Sequence, residues 1–336
     1  MSTERDERRE TVNDESDDRV GRDRDERRVL VVNPTAGSED HVAEVTHRGR
    51  DHGFEVRETE EAGDAKRFAR QAAADADLVA AAGGDGTINQ VVNGVVASGE
   101  LESTTVAVVP AGTGNNFASN VGIEGLGHAF DVIETGERRR LDLGVANDRA
   151  FVNSCVGGIT AEASGSTSPE EKRRLGVLAY VMSTLEMVRS FEPLSLRVKT
   201  AGGPDGDEPD TWEGNAALVL IGNCRRFTGP RRVQANVEDG LFEVTIVEHL
   251  PSGLANGGTL ERLFGRSTDS SASIVRRLTP SLTIESLGDS PVAYSLDGEI
   301  LEARHLSVET DPGALTVPVG PGYETPDEQP SALDLA

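Results

Sequence analysis

Cysteine, lysine and long apolar runs are scarce in this 336-residue chain, and each scarcity excludes a class of protein. The two cysteines, Cys155 and Cys224, have no CxxC spacing, so a disulfide framework is not expected. No apolar run approaches the roughly 18 residues of a transmembrane helix, and no apolar stretch near the N-terminus predicts a secretory signal. We therefore expect a cytoplasmic chain whose contact with a membrane is peripheral.

Positive charge is outnumbered and unusual in kind. Asp and Glu total 58 against 33 Lys and Arg, and lysine occurs only at Lys66, Lys172 and Lys199. We expect no nucleic-acid partner for so acidic a chain, because nucleic acids favour a basic face. A large negative charge with little lysine is typical of proteins kept soluble at high salt, where screening weakens self-repulsion. The composition therefore predicts a halophilic source.

Hydrophobic patterning predicts two folded parts between two tails. Residues 1–27 are almost wholly polar and predict a disordered tail, and residues 322–336 predict a loose one. Over 28–141, apolar strand-like runs alternate with helical segments, which predicts an open, mostly parallel α/β sheet. Over 142–310, short alternating runs between Gly- and Pro-containing turns predict a β-rich domain. Residues near 311–325 are expected to complete the first domain.

Two glycine-rich turns fall where open α/β sheets bind ligands, at the carboxyl ends of strands. They are AAGGDGTINQ, residues 81–90, and AGTGNNFA, residues 111–118. Glycine lets the backbone approach an anion and offer its N–H groups, and the helix after each turn adds a favourable dipole. Neither turn has the spacing of a dinucleotide fingerprint or a P-loop. Two tight turns without a ligand are the alternative, but two turns at one sheet edge favour a polyphosphate site.

Asp85 lies inside the first turn and is difficult to explain as a turn residue alone. A carboxylate among phosphate-binding amides would repel phosphates unless a cation lay between them. Magnesium on a nucleotide is the natural mediator. The turn therefore predicts a nucleotide site that involves Mg²⁺.

The ordered segments VVNPTAG, AAGGDGTINQVVNGV and VPAGTGNNFA resemble the diacylglycerol kinase catalytic domain. That family includes soluble bacterial lipid kinases and the sphingosine and ceramide kinases. The resemblance continues through LDLG, FVNSCVGG, RRLGVLAY, QANVEDGLFEV and SLDGE, and so spans roughly residues 29–310. GGDGT alone is shared with NAD kinases and, more distantly, phosphofructokinases, whereas the ordered series ending in DGE is specific.

This resemblance implies an N-terminal nucleotide-binding α/β domain, a C-terminal β-sandwich-like domain and an active site in the cleft between them. It implies transfer of the γ-phosphoryl group of ATP to a hydroxyl of a diacylglycerol-like or ether-linked diradylglycerol lipid, met at a membrane surface. Position by position, it places ATP on Asn33, Pro34, Thr35, Ala36, Gly37, Thr59, Gly83, Gly84, Asp85, Gly86, Thr87, Ile88, Asn89, Gly112, Thr113 and Asn115.

The DGE motif is where the resemblance places catalysis. It assigns Glu299 as the proton acceptor for the lipid hydroxyl, with Asp297 beside it. Phosphoryl transfer depends mainly on positioning and charge neutralisation, so a carboxylate needs only to orient the hydroxyl and take its proton. Asp297-Gly298 is also typical of a type I′ hairpin turn, and a hairpin tip can itself present a carboxylate.

Two further positions follow from the same resemblance. A structural Mg²⁺ is placed on Asn236, Asp239 and the carbonyl oxygen of Leu241, which are oxygen ligands suited to a hard cation, although Asp-Gly here is more simply another hairpin turn. The second glycine motif usually reads GTGNDFA in the family, and Asn116 stands here in place of the aspartate. Asn116 can still form hydrogen bonds but carries no charge.

Other functions and partners are compatible with parts of the pattern. An NAD kinase-like enzyme would share the glycine–aspartate turn but not PAGTGNNFA and SLDGE. A catalytically silent nucleotide- or lipid-binding regulator would have no need to retain Asp85, Asp297 and Glu299. A helix predicted over 169–191 has apolar residues at helical spacing, which favours core packing over membrane docking. A homodimer is also compatible with the sequence.

Overall fold

A computed structural model describes residues 26–37, 41–112, 114–158, 193–203, 208–224, 235–248 and 274–326. The helix predicted over 169–191 and the position Thr113 lie outside these residues, as does most of each predicted tail. Among the described helices, none combines the length and the apolar character that crossing a bilayer requires.

The first part of the chain forms a parallel four-stranded sheet with strand order β2-β1-β3-β4. Strands β1, β3 and β4 consist mainly of valine, alanine and leucine and are almost wholly buried, as expected when helices cover a parallel sheet, whereas the edge strand β2 is only partly buried. The predicted open α/β sheet is confirmed. The elements are β1 Arg28–Val32, α1 His41–Asp51, β2 Phe54–Glu58, α2 Asp64–Ala73, β3 Leu78–Gly83, α3 Asp85–Ser98, β4 Thr105–Pro110, α4 Asn116–Asn120 and α5 Leu126–Thr135.

The second part forms two six-stranded antiparallel sheets, in the orders β12-β11-β10-β7-β14-β15 and β6-β5-β16-β13-β8-β9. Their strands are β5 Glu137–Ala146, β6 Arg149–Phe151, β7 Ser154–Gly157, β8 Leu194–Thr200, β9 Asp210–Ala216, β10 Leu218–Gly222, β11 Phe242–Val247, β12 Ile274–Thr279, β13 Ser281–Ser286, β14 Val292–Leu296, β15 Glu299–Ala303 and β16 His305–Val319. The predicted β-rich, sandwich-like domain is confirmed.

Apolar side chains from both sheets form one core between them. Ile221 and Phe242 come from the first sheet and Ile284 and Leu306 from the second, and all four are fully buried. Phe151 stacks on Phe242 with 5.7 Å between ring centroids. Burial of inward-facing residues from two antiparallel sheets is the packing that defines a β-sandwich.

Strand β16 belongs to both parts of the molecule. Its first half pairs with β13 and β5, where Val308 lies opposite Ala146. After a register shift between Asp311 and Leu315, its second half continues along β5 and also contacts β4. Leu315 and Val317 are buried in the same core as the parallel sheet. The chain therefore returns to the first domain after completing the second.

Candidate active site at the carboxyl edge of the parallel sheet

Three loops meet at the carboxyl edge of the parallel sheet because β1, β3 and β4 are neighbours. They are residues 33–37 after β1, 83–87 from the end of β3, and 111–115 after β4. A β-carbon at Gly112 would overlap Cα of Gly84 and lie 2.7 Å from its nitrogen, and one at Gly37 would lie 2.5 Å from the carbonyl oxygen of Ala111. The backbones therefore touch, which only glycine permits.

Replacing Gly112 by alanine is expected to separate the two glycine turns. The added methyl group meets the backbone of Gly84, which cannot move aside as a flexible side chain could, so we expect a loss of about 1–3 kcal/mol in the free energy of unfolding. A weaker affinity for an ATP analogue should accompany it. Chemical denaturation and calorimetric titration measure both.

Gly125→Ala is the matched control for that substitution. No atom lies within 4 Å of a β-carbon built at Gly125, and its φ of −178° suits any residue. This variant should keep wild-type affinity for the ATP analogue, and its loss of stability should be limited to the small cost of alanine at the N-cap of α5. Equal losses in both variants would show that the contact between the turns is not the cause.

Asn33 ties the first loop to the glycine–aspartate turn. Its Nδ2 donates to Oγ1 of Thr87 at 3.1 Å, and its Oδ1 accepts from the backbone N of Thr35 at 3.1 Å and from its hydroxyl at 2.9 Å. A β-carbon at Gly83 would lie 2.6 Å from Cβ of Thr87. The side chain of Thr87 thus occupies the space that a side chain at position 83 would need.

The predicted nucleotide-binding residues divide into three groups. Those from the three loops come together at this edge: Asn33, Pro34, Thr35, Ala36, Gly37, Gly83, Gly84, Asp85, Gly86, Thr87, Gly112 and Asn115. Thr59 follows β2 one strand away, where its N–H donates to the carbonyl of Val32 at 2.9 Å. The side chains of Ile88 and Asn89 are buried.

Asp85 accepts hydrogen bonds from three described residues, Asn116, Phe117 and Asn153. Its Oδ2 accepts from the backbone N and the side-chain Nδ2 of Asn116, at 3.1 and 2.9 Å. Its Oδ1 accepts from the backbone N of Phe117 at 2.9 Å and from Nδ2 of Asn153 at 3.3 Å. The carboxylate therefore joins the start of α3 to the start of α4 and to the second domain.

Asp297 is the matching carboxylate from the second domain. With Gly298 it forms the two-residue turn between β14 and β15, and φ is 50° at Asp297 and 106° at Gly298, as the predicted type I′ turn requires. Its oxygens accept from the backbone N of Val152 at 2.6 Å and from those of Asn153 and Ser154, each at 2.9 Å. This carboxylate therefore holds the backbone of residues 152–154 in place.

Asparagine side chains join the two domains beside these carboxylates. Nδ2 of Asn89 donates to the carbonyl of Ala150 at 3.0 Å and to Oδ2 of Asp297 at 3.2 Å. Asn93 accepts from N of Ala150 at 3.0 Å and donates to its carbonyl at 2.9 Å. Helix α3 is thus bonded directly to β6, which fixes the second domain against the glycine–aspartate turn.

Asn153 is the residue that connects Asp85 with Asp297. Its side chain donates to Asp85, its backbone N donates to Asp297, and its Oδ1 accepts from Nδ2 of Asn120 at 3.2 Å. Sequence reasoning placed FVNSCVGG in the resemblance but gave Asn153 no role. A polar residue within the apolar run FVNSCV was the available signal.

The ionisation of Asp297 is set by its surroundings. Burial raises the pKa of Asp297 from 3.8 to about 6, and the charge of Asp85 adds to the rise, against the hydrogen bonds from Ser154, Val152 and Asn89. Protonation would place an O–H group among N–H donors. The site is therefore expected to need Asp297 ionised.

Below about pH 6 we expect kcat to fall about tenfold per pH unit, as for one essential carboxylate. Stability should behave differently. Because the folded-state pKa lies above the unfolded value of 3.8, this group's contribution to the free energy of unfolding falls as pH rises from 3.8 to about 6. Activity and circular dichroism profiles over pH 4–8 measure both. An acid limb that coincides with unfolding would contradict the prediction.

Glu299, in the second domain, lies next to the first turn of α3. It opens β15, opposite Leu296, and its side chain is exposed. Its Oε1 accepts from Nε2 of Gln90 at 3.5 Å and lies 4.0 Å from a β-carbon built at Gly86. Unlike Asp85 and Asp297, this carboxylate is exposed beside the glycine–aspartate turn.

In the loop predicted to bind magnesium, side-chain oxygens accept hydrogen bonds from backbone N–H groups of the same loop. Oδ1 of Asn236 accepts from N of Glu238 at 3.1 Å, and Oδ1 of Asp239 accepts from N of Leu241 at 3.0 Å. Within the described residues, no three His, Cys, Asp or Glu side chains gather into a metal-binding group. The loop offers oxygen atoms of the type that Mg²⁺ binds, and the site on Asn236, Asp239 and Leu241 stays a prediction.

Comparison with known proteins agrees with this architecture. Residues 27–146 match the diacylglycerol kinase catalytic domain, and residues 153–319 match the YegS C-terminal NAD kinase beta sandwich-like domain. A Pseudomonas aeruginosa protein named "Probable lipid kinase YegS-like" is 34% identical over 313 residues, covering 92% of this chain and 99% of the relative.

Two further relatives carry the name diacylglycerol kinase. The Bacillus subtilis protein is 33% identical over 230 residues, covering 65% of this chain and 73% of the relative. A Bacillus anthracis crystal structure has a TM-score of 0.68 at 25% identity, covering 88% of this chain and 97% of that one. With the two matching domains in the same order, the chain belongs to the family of lipid kinases built from a diacylglycerol kinase catalytic domain and a YegS-type β-sandwich domain.

Proposed function

We propose that this chain is an ATP-dependent kinase that phosphorylates a hydroxyl of a diradylglycerol-like lipid, with ester or ether chains. The observation that carries the proposal is the position of Glu299, an exposed carboxylate beside the glycine–aspartate turn. The phosphate donor and a proton acceptor would thus face each other across one cleft. The lipid kinase family supports the same reaction class.

On the nucleotide side, the described glycine turns offer backbone N–H groups. The turns at 83–87 and 111–115 lie in contact, and the 14-residue helix α3 begins at Asp85. The positive end of a helix dipole and free N–H groups at a helix start favour phosphate. These loops would hold the triphosphate, and Asn33 would keep the first loop in place through Thr87.

On the acceptor side, Glu299 would orient the lipid hydroxyl and take its proton. The hydroxyl oxygen would form a bond to the γ-phosphorus as the bond from that phosphorus to the β,γ-bridging oxygen breaks, and ADP leaves. The proton would pass to a carboxylate oxygen of Glu299. Mg²⁺ carried by ATP would supply neutralisation of the triphosphate charge. A second Mg²⁺ at Asn236, Asp239 and Leu241 would stabilise that loop.

A two-chain lipid stays in its bilayer, so the enzyme would meet it peripherally. The chain carries a formal net charge of −25, which would repel an anionic surface at low ionic strength. Salt would screen that repulsion. Assays should therefore present the substrate in zwitterionic vesicles at both low and high KCl concentration.

The test incubates the full chain with γ-labelled ATP and a panel of acceptors. The panel holds ester-linked diacylglycerol, ether-linked diradylglycerol, sphingosine, ceramide and NAD. We expect label in an extracted diradylglycerol phosphate. Labelled NADP with unlabelled lipid would favour an NAD kinase instead. Nucleotide binding without any labelled product would favour a silent regulator.

A further inference from the structure

The carboxylate of Asp85 has its acceptor positions filled. An ionised aspartate offers about four lone-pair directions, two on each oxygen. Oδ2 accepts two N–H groups of Asn116, and Oδ1 accepts one from Phe117 and one from Asn153. A metal ion bound directly to either oxygen would displace one of these donors.

Asn116 supplies two of these donors, and one of them depends on its side chain. Its Nδ2 lies 2.9 Å from Oδ2 of Asp85, which is a normal hydrogen-bond distance for an amide. An aspartate at position 116, as in the usual family motif, would bring two carboxylates to a similar distance. Like charges so close repel unless a cation or a proton lies between them. The asparagine removes that requirement.

We propose that Asp85 does not ligate magnesium in this protein but acts as a positioning residue, and that the Asn116 amide is what closes its carboxylate to metal. Asp85 holds the two glycine turns together and, through Asn153, holds the second domain against them. The assignment deepens the proposed function and rests on it for the role of the metal. The Mg²⁺ ion bound to the triphosphate of ATP would then not be coordinated directly by Asp85.

Replacing Asp85 tests whether this residue positions the two turns or binds the metal, because these roles affect different measured quantities. Asp85→Asn would put an NH₂ group among N–H donors and disturb both turns. We expect kcat to fall about 10²-fold, as displaced catalytic groups cause. The Mg²⁺ concentration that gives half-maximal activity should stay within about twofold of wild type, because no ligand is lost. A metal ligand would instead raise that concentration strongly.

Metal binding can be read without catalysis. Free Mn²⁺ is followed by electron paramagnetic resonance during titration of the full chain, first alone and then with a non-hydrolysable ATP analogue. We expect wild type and Asp85→Asn to bind the same number of Mn²⁺ ions under both conditions. Loss of one Mn²⁺ in Asp85→Asn, with its fold intact by circular dichroism, would overturn the proposal.

The reverse substitution keeps the proposal testable even if Asp85→Asn does not fold. Asn116→Asp should gain one Mn²⁺ site, about tenfold tighter than any surface site of wild type, because two facing carboxylates then need a cation. Asn115→Asp is the matched control, since the Asn115 side chain contacts Gly112 and not Asp85. It adds the same charge and should gain no site.

No gain in Asn116→Asp, or an equal gain in both variants, would overturn the assignment of Asn116. The lipid assay is separate from these titrations. If the Mn²⁺ results follow expectation and the wild type phosphorylates no lipid, the proposed function fails while the assignment of Asp85 stands.

Discussion

Glu299→Gln should lower kcat for lipid phosphorylation by about 10²–10⁴-fold, the range that a general base supplies. Glutamine keeps the size and the hydrogen-bonding capacity of the side chain but cannot take the proton of the hydroxyl. Stability should not change, because Glu299 is exposed and its contact is a 3.5 Å hydrogen bond from Gln90. Initial rates with labelled ATP, together with thermal unfolding curves, measure both.

Glu302→Gln provides the matched control for that experiment. Glu302 is also exposed on β15, so the variant makes the same chemical change on the same strand away from the glycine–aspartate turn. It should keep wild-type activity. Full activity in Glu299→Gln would exclude Glu299 as the proton acceptor, and equal losses in both variants would point to a general effect of charge on the acidic surface.

Asp297→Asn should lower stability and activity together. A side-chain amide keeps only one acceptor oxygen, so its NH₂ group would face either the N–H of Val152 or those of Asn153 and Ser154, and a buried N–H would lose its acceptor. We expect a loss of about 2–4 kcal/mol in the free energy of unfolding. Activity should fall about 10²-fold, because Asn153 and with it Asp85 would lose their fixed positions.

Asparagine is the informative replacement because it tolerates the φ of 50° at position 297 nearly as well as aspartate does. Asp148→Asn, at an exposed turn position near β6, should change stability by less than about 0.5 kcal/mol. Denaturant unfolding of the three proteins measures these differences. A variant at position 297 with normal stability and no activity would show instead that Asp297 contacts the substrate.

The glycine turns and their sheet edge could be predicted because their signals are local. A buried parallel strand, a glycine-rich turn and a helix start follow one another along the chain, and neighbouring parallel strands end at the same edge. In the structure, the backbones of Gly84 and Gly112 from the two turns are in contact at this edge. The type I′ turn at Asp297-Gly298 was predictable for the same reason.

Contacts between the domains could not be predicted in this way. Asp297 accepts hydrogen bonds from residues that lie 143 to 145 positions away along the chain. No sequence pattern near SLDGE indicates that Val152 is one of these partners. Strand β9 shows a second limit. The glycine, proline and acidic residues over 200–214 favour a hairpin connection, yet β9 begins at Asp210 and pairs with β8, with Trp212 on the half-buried face. These residues form a strand because they pair with β8, which the local sequence does not indicate.

Strand β16 has a consequence for how the chain reaches its native state. During synthesis the strands of the parallel sheet precede those of the β-sandwich, but Leu315 and Val317, which help to close the core of the parallel sheet, follow them. Their pairing with β5 joins segments that are far apart in sequence, and such contacts form slowly. The first domain would therefore keep apolar surface exposed until β16 is made, and a chain cut between the two domains would deprive that core of Leu315 and Val317.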